Sequence, residues 1–378
     1  MTVKLKKATN KSIVYNITQL ITSISWSGSS KQASRKIEFS VINSPFDGNM
    51  SNVTVESGDI VYFYFDDEKE FVGRVTNLST STKPGSNTYT AKDYMNILLR
   101  SKVCYNFKNT TPEKISAKVL SDLGVKKGSL CATSINISKL LIDGETAYNT
   151  IVGAYYKAYK KNKTRYMPIM EGTSFSVIKK GEFSGVKLRL SENVTETTLD
   201  ENAEDVINRV LIYDDKGKRV GTVSDEGSIA LFGIYQDIYK KEQGINADSA
   251  AKQLMKGPEK TAKVSAIGDI RCISGKSIYL YDDFTGLWGK FWIENDVHTF
   301  TNGVHTMSLT LAFKNIMENV EESISSYPVA TSERVCYYTE SGDKYHSKSS
   351  CSSMTNPTRS TVSAATKLGK SKCSRCWQ

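Results

Sequence analysis

The sequence predicts a mainly β chain with an α+β section: two related β-barrel domains, an α+β domain between them, and a small C-terminal zinc module. Three observations carry this reading. Short runs rich in β-branched and aromatic residues, bounded by Gly, Pro and Asp turns, recur from 13 to 100 and again from 208 to 313, as antiparallel strands require. Between them, two segments have the caps and apolar spacing of helices. At the end, His346, Cys351, Cys373 and Cys376 follow the order His-x(4)-Cys-x(21)-Cys-x(2)-Cys, three thiols and an imidazole suited to a closed tetrahedral zinc site.

Strands are expected at Ile13 to Thr18, Ser23 to Trp26, Lys36 to Ile42, Asp59 to Phe65, Glu70 to Thr76 and Asn87 to Ala91, with turns at Ser57-Gly58, Asp66-Asp67 and Pro84-Gly85. A small barrel over 1–100 is their natural closure. At Thr111-Pro112-Glu113 the pattern changes: Thr111 can cap a helix whose face is Ile115, Val119, Leu120 and Leu123, before Gly124. A second helix is expected from Glu145 to Lys161, then strands at Arg165 to Met170, Ser174 to Lys179 and Lys187 to Leu190, so that 101–205 reads as α+β. Strands return at Asn208 to Tyr213 and Arg219 to Val223, and a helix from Ala247 to Met255, capped by Asn246, lies in a helical insertion at about 243–267. Asp269 to Ile273, Ser277 to Tyr281, Gly289 to Asn295 and Thr306 to Phe313 complete a second barrel over 206–320. The acidic, Ser-rich Glu318 to Pro328 stretch reads as a linker, centred on 321–330, to a module over 331–378.

An internal comparison suggests why there should be two such domains. Ser57-Gly58 leads through an aromatic strand to Asp66-Asp67 and then Gly73; Ser274-Gly275 leads likewise to Asp282-Asp283 and Gly289. In both, the Gly comes seven positions after the first Asp, and a strand, polar turn and strand follow. This is the mark of two related β-domains.

In the C-terminal module, Val335 to Thr339 and Lys344 to His346 can form a hairpin around Ser341-Gly342-Asp343 that delivers the imidazole. Cys373 and Cys376 form a knuckle after a helical stretch, Ser363 to Leu368, that Gly369 can cap. So short a segment buries little apolar surface, and structural zinc supplies roughly 10–16 kcal/mol of apparent binding energy. The alternative is a disulfide pair or unconnected thiols. Cys336 is a fifth thiol nearby and is read as a spare.

The formal net charge of +10 raises a nucleic-acid partner, yet residues 331–378 hold eight Lys/Arg and three Asp/Glu, and the remaining basic groups are scattered. No helix with base-reading residues accompanies them, so no specific nucleic acid is expected. No run approaches the ~20 apolar residues of a membrane span, and the N-terminus lacks a secretory signal, which points to a cytosol. Catalytic readings fail one by one. His298 and His305 belong to an expected hairpin, Asn295 to Met307. Gly275-Lys276-Ser277 ends like a phosphate loop, but Ile270 stands where that loop needs Gly. The pairs Asp66-Asp67, Asp214-Asp215 and Asp282-Asp283 fall in turns, so neither an enzyme nor any catalytic residue is expected.

From Glu70 to Asn319 the chain resembles the baseplate hub family of contractile phage tails and phage-like bacteriocins, the XkdQ/YqbQ type related to late control gene D proteins. The landmarks are Phe71-Val72-Gly73-Arg74-Val75, Asp93-Tyr94, Thr111 to Ile115, Asn208-Arg209-Val210 with Asp214, Phe232 to Gln236, Gly286 to Phe291, and His298 to Met307. The tail from Val335 to Cys376 resembles a small zinc-binding module, departing from its pattern at Cys336. The resemblance implies two tube-type β-barrels per chain and a homotrimer that joins a sixfold tail tube to a threefold central spike. Tape-measure and baseplate wedge proteins would be further contacts, with assembly in the bacterial cytoplasm before incorporation into the particle. The competing readings are a nucleic-acid binder using a basic zinc module and a tail-tip peptidoglycan hydrolase.

Overall fold

The computed structural model describes all residues except 11–12, 32, 45–46, 48, 50–52, 82–84, 243, 314–334 and 378. The expected linker, Glu318 to Pro328, and Pro84 of the expected turn lie outside the described residues. The chain divides into two compact units, 1–320 and 321–378. In the first, the chain begins with β1 (Thr2–Lys6), β2 (Val14–Asn16), β3 (Ile21–Ser29), β4 (Lys36–Asn43), β5 (Ile60–Phe65), β6 (Glu68–Ser79) and β7 (Gly85–Asp93). Alternation decides which faces are buried: Ile24 and Trp26, Ile37 and Phe39, and Val61 and Phe63 point into one core. Asp66 and Asp67, both at positive φ, make the two-residue turn between β5 and β6.

The helix α1 (Met95–Arg100) leads into a compact α+β section: β8 (Lys102–Thr110), α2 (Pro112–Asp122), β9 (Lys126–Leu130), β10 (Ile137–Thr146), α3 (Ala147–Asn162), β11 (Tyr166–Glu171) and β12 (Ser174–Lys179). Thr111 precedes α2 in extended conformation with Pro112 in its first turn, and Thr146 Oγ1 caps α3 by accepting from Asn149 N. β8 pairs with β10 and β12 joins β11 to β9.

Next come β13 (Phe183–Arg189), β14 (Val194–Asn202), β15 (Arg209–Tyr213), β16 (Arg219–Ser224), α4 (Glu226–Phe232), β17 (Gln236–Lys240), α5 (Ala247–Leu254), β18 (Glu259–Ile267), β19 (Ser277–Asp282), β20 (Leu287–Thr301) and β21 (Val304–Ala312). The strands at 209–224, expected in the second barrel, instead form a separate three-stranded sheet with β17, packed on α5. They lie in an insertion between β14 and β18, larger than the helical one expected. β13 and β14, expected with the middle section, belong to the large sheet. Asp269 to Ile273, expected as a strand, is a turn: Asp269 Oδ1 accepts from Arg271 N and its carbonyl from Cys272 N, which bends the backbone out of any ladder.

Strand order repeats. In the first half β5-β6-β7-β4-β3 are neighbours, in the second β19-β20-β21-β18-β14, and every pairing in both series is antiparallel. Bulges recur too: between Ile21 and Ser23 in β3 and Val194 and Glu196 in β14, and between Val75 and Asn77 in β6 and Ile293 and Asn295 in β20. The bulged Thr22 and Thr195 make the same bond, donating to the carbonyls of Ser40 and Ser265. Gly58 and Gly275 both sit at φ +90° at the entry to the corresponding strands.

Neither half is a closed barrel. All these strands form one 13-stranded sheet, because β20 is long enough to serve both halves: Leu287 to Trp292 pairs with β19, and Asn295 to Phe300 pairs with β3. A strand that spends its second half on the neighbouring set cannot close its own. Each half nevertheless keeps its own apolar core, with Phe300 of β20 contributing to the first.

The junction of β3 and β20 is fastened by a buried ion pair. Arg35 donates from Nη1 and Nη2 to the two oxygens of Asp296, at 2.9 and 2.5 Å, and Ser274 N donates to Oδ1 at 2.6 Å. The guanidinium lies over the Trp26 ring at 4.0 Å. Gly28 is required here: a Cβ would stand 2.1 Å from Arg35 Nη1. Removing one member of a buried pair costs about 3–5 kcal/mol. Arg35→Met is therefore expected to lower the unfolding free energy of residues 1–320 by that order, read as a lower urea midpoint, and adding Asp296→Asn, which still accepts from Ser274, to restore most of it. An unchanged midpoint in Arg35→Met would show that the pair does not hold the halves together.

Candidate metal centre

The second unit contains β22 (Val335–Tyr338), β23 (Lys344–Tyr345), β24 (Thr358–Thr361), α6 (Val362–Lys367) and β25 (Ser371–Lys372). The expected hairpin is reduced to a single bridge, in which Tyr337 and His346 exchange both backbone bonds, at 2.8 and 2.7 Å. β22 takes β24 as its strand partner, and β23 turns aside to pair in parallel with β25. That detour builds the site. Tyr345 pairs with Lys372, and Cys373 N donates to Tyr345 O, so His346 and Cys373 emerge side by side from neighbouring strand ends. α6 ends at Gly369, φ +78°, with Lys370 N bonded back to Ala365 O, a left-handed stop that glycine supplies cheaply.

His346, Cys351, Cys373 and Cys376 each offer one ligand atom, all within 4.8 Å of one another. Sulfur atoms on one tetrahedral zinc would stand about 3.8 Å apart, so the spacing suits a single metal ion. His346 and Cys373 are buried, and all seven thiols are free, with no disulfide among them. Ser347 N donates to Cys376 Sγ at 3.3 Å, and His346 Nδ1 lies 3.7 Å from the same sulfur. Desolvation opposes ionisation of Cys376, but the backbone and hydroxyl of Ser347, with Cys351 and His346, outweigh it and bring the thiol down to about 6. A thiolate is the form a metal binds. Cys336 stands apart, fully buried with Tyr345 and Ala365 in the unit's small core, and burial pushes its thiol up. Sequence reasoning missed two supports: Ser347, and Lys370, whose Nζ donates to the carbonyls of Thr339, Glu340 and Gly342 and so ties down the loop before β23.

The other candidates are structural. Asp66 and Asp67 form a turn, Asp214 Oδ1 accepts from Lys216 N and Lys218 N, and Asp282 accepts from Phe284 N and Thr285 Oγ1. His298, fully buried, has Nε2 3.1 Å from Cys272 O and Nδ1 3.0 Å from His305 Nε2. A carbonyl only accepts, so His298 carries its proton on Nε2 and receives a hydrogen bond from His305.

A YQBQ-like family model matches residues 24–312. The chain belongs to the YQBQ-like family. Its relatives include the Bacillus subtilis (strain 168) protein YqbQ, 26% identical over 82% of this chain and 96% of that protein. A second is protein XkdQ of the phage-like element PBSX in the same strain, 24% identical over 78% of this chain and 93% of the relative. Among solved structures, the 43 kDa tail protein of prophage MuSo2 from Shewanella oneidensis superposes with a TM-score of 0.60 at 15% identity, covering 82% of this chain and 98% of that one. The YQBQ-like segment begins in β3, well before Glu70, and ends with β21, so the four clustered metal donors lie outside it.

Within the YQBQ-like fold the histidine pair makes stability depend on pH. Burial pushes His298 down to about 4, against the upward pull of Asp296. A histidine neutral in the fold and protonated in the unfolded chain stabilises the fold above its unfolded value, near 6.5, and that stability is lost as pH falls toward 4. The loss is up to about 3 kcal/mol. Urea midpoints at pH 7.5 and 4.5 should therefore differ more for the native chain than for His298→Gln; equal differences would remove His298 as the cause.

Proposed function

We propose that this chain is the baseplate hub of a contractile tail, a homotrimer that joins the sixfold tail tube to the threefold central spike. The observation that carries the reading is the repeat: five strands in one order, all antiparallel, with two bulges at corresponding places. Two like tube-type domains per chain let three chains present six equivalent domains to a tube while keeping threefold symmetry toward a spike. The relatives support it, one being a phage-like element protein and a solved structure being a prophage tail protein. The chain is of the phage tail and baseplate structural type, not an enzyme. Among the described residues no helix is long and apolar enough to cross a membrane. Its place of work is the tail baseplate of a virion or bacteriocin particle, with tape-measure and wedge proteins as further neighbours. The expected outcome is a trimer in sedimentation that is captured by both tube and spike proteins at micromolar concentration; a chain that stays monomeric in their presence would sink the reading. Retention on DNA at physiological salt would favour nucleic-acid binding instead.

The C-terminal unit is proposed as a structural zinc module with His346, Cys351, Cys373 and Cys376 as ligands. Four protein donors leave no position for a substrate or reactive water. Among the described residues, the apolar core of this unit has three buried side chains, Cys336, Tyr345 and Ala365, with Tyr338, Val362 and Trp377 packed against them, so little of its folding energy can come from apolar burial and the metal would supply much of it. Elemental analysis should find close to one zinc per chain, lost in Cys373→Ser and kept in Cys336→Ser. Loss of zinc should melt the C-terminal unit and leave the body folded; a disulfide between Cys351 and Cys376 in place of metal would refute the assignment.

A further inference from the structure

Among the described residues the repeat leaves two strand edges without partners, and they complement one another. In the second half, the stretch of β20 beyond its bulge, Asn295 to Phe300, takes the outer edge of β3 as its neighbour. The corresponding stretch of β6 beyond its bulge begins at Asn77 and is paired on one side only, with β7. In the first half β3 gives its outer edge to β20; its counterpart β14 pairs with β18 and ends the sheet. Among the described residues, Thr76 to Ser79 make no backbone hydrogen bond outside the ladder with β7, and residues 195–202 make none outside the ladder with β18. The chain thus makes the junction once internally and carries the two halves of a second, unmade one.

We infer that β14 of one copy of this chain pairs antiparallel with the end of β6 of the next, repeating between chains the β3–β20 junction made within one. The inference rests on the trimeric reading above and gives its interface. The register follows from the bulges. Ile21 corresponds to Val194 and Ser23 to Glu196, while Val75 corresponds to Ile293 and Asn77 to Asn295. The internal pairs Asn295 with Ser29, Asp296 with Gly28 and Val297 with Ser27 then become Asn77 with Asn202, Leu78 with Glu201 and Ser79 with Asp200 of the neighbour.

The chemistry of the two edges fits a contact made after folding. The internal junction is buried, holding Trp26, His298 and the Arg35–Asp296 pair. The unmade one is polar and exposed, with Leu78, 38% exposed, as its apolar member on β6. An open edge of this kind stays soluble while the chain is single. β14 also carries Glu196, Asp200 and Glu201, so pairing with a second β14 would set acids against acids, whereas the end of β6, Thr76 to Ser79, has no charge. Unlike edges must therefore meet, head to tail, which is the kind of interface that closes rings.

The test mixes full-length chains carrying Leu78→Cys with chains carrying Glu201→Cys under mild oxidation, beside a Leu78→Cys and Glu196→Cys mixture that is five residues out of register. The expected result is an interchain disulfide in the first mixture, and little in the second or in the native chain. In parallel, Leu78→Glu should shift the trimer to monomer in sedimentation, and adding Glu201→Lys should restore it; both side chains are exposed in the single chain and Glu201 gives up only a surface pair with Lys260, so thermal midpoints should change little. A trimer that forms without the in-register link, links equally out of register, or ignores Leu78→Glu overturns this interface and leaves the trimeric reading standing. A native chain that remains monomeric overturns both.

Discussion

The body of this protein depends on one strand being shared. β20 runs for 15 residues; its pairing with β19 ends at Trp292, and from Asn295 it takes β3. Two halves with separate cores are thereby fused into a single sheet, and the fusion is held where a slip would be easiest, at the change of partner. Arg35 reaches both oxygens of Asp296, Asp296 also receives the Ser274 backbone, and Lys31 pairs with Glu294 at the rim, 2.6 Å away. A bidentate pair is directional as well as attractive, so it fixes register where apolar packing alone would tolerate sliding. Asp93 extends the same network: it accepts from Arg35 N, Ser34 Oγ and Met95 N, tying the β3–β4 connection to the start of the middle section.

What could be read from the sequence follows from how each element is stabilised. Three helix starts were legible locally: Thr146 and Asn246 cap theirs by accepting from Asn149 N and Ser249 N, while Thr111, expected as a cap, makes no side-chain cap bond and α2 is marked by Pro112 in its first turn. α4 was not legible, although Asp225 caps it by accepting from Ser228 N: its apolar residues, Ile229 to Phe232, run consecutively instead of at helical spacing, and none of them is buried. β1 was missed because Val3 and Leu5, both fully buried, alternate with lysines and look like a basic tail. β14 and β18 were missed because their outward faces are Thr, Glu and Lys, as edge and near-edge strands tend to be. The barrel expectation failed for a different reason. Propensity and alternation report which residues form strands, while the choice of partner for β20 rests on contacts between residues 24–29 and 295–300, which no local pattern contains.

The metal donors were legible for the opposite reason. A coordination site needs particular side chains at reachable spacings: His346 and Cys373 stand just past the ends of β23 and β25, Cys351 opens the short helical turn Cys351–Ser353, and Cys376 lies in the turn after Cys373. The supporting residues were silent. Lys370 looks like any surface lysine until three carbonyls converge on its ammonium group, and Ser347 like any serine until its N–H meets a sulfur. Cys336 shows the limit of counting thiols: its strand directs it into the core, so a buried cysteine here behaves as a small hydrophobe.

The two halves have diverged where their surroundings differ and stayed alike where geometry constrains them. The bulges in β3 and β14 are closed by the same threonine-to-carbonyl bond, and those in β6 and β20 fall at corresponding places; a bulge sets local twist and where pairing changes. The connection between the first two strands of each series differs most. Between β3 and β4 it is a short loop carrying Arg35; between β14 and β18 it is the whole insertion of β15 to α5. Only the first can send a guanidinium to Asp296, and the residue of β6 that corresponds to Asp296 is Leu78, which has no need of one. The half that carries the insertion therefore has no counterpart of the Arg35–Asp296 pair. A junction that needs no buried charge can be left open to water in the single chain, whereas the Arg35–Asp296 junction must be made as the chain folds.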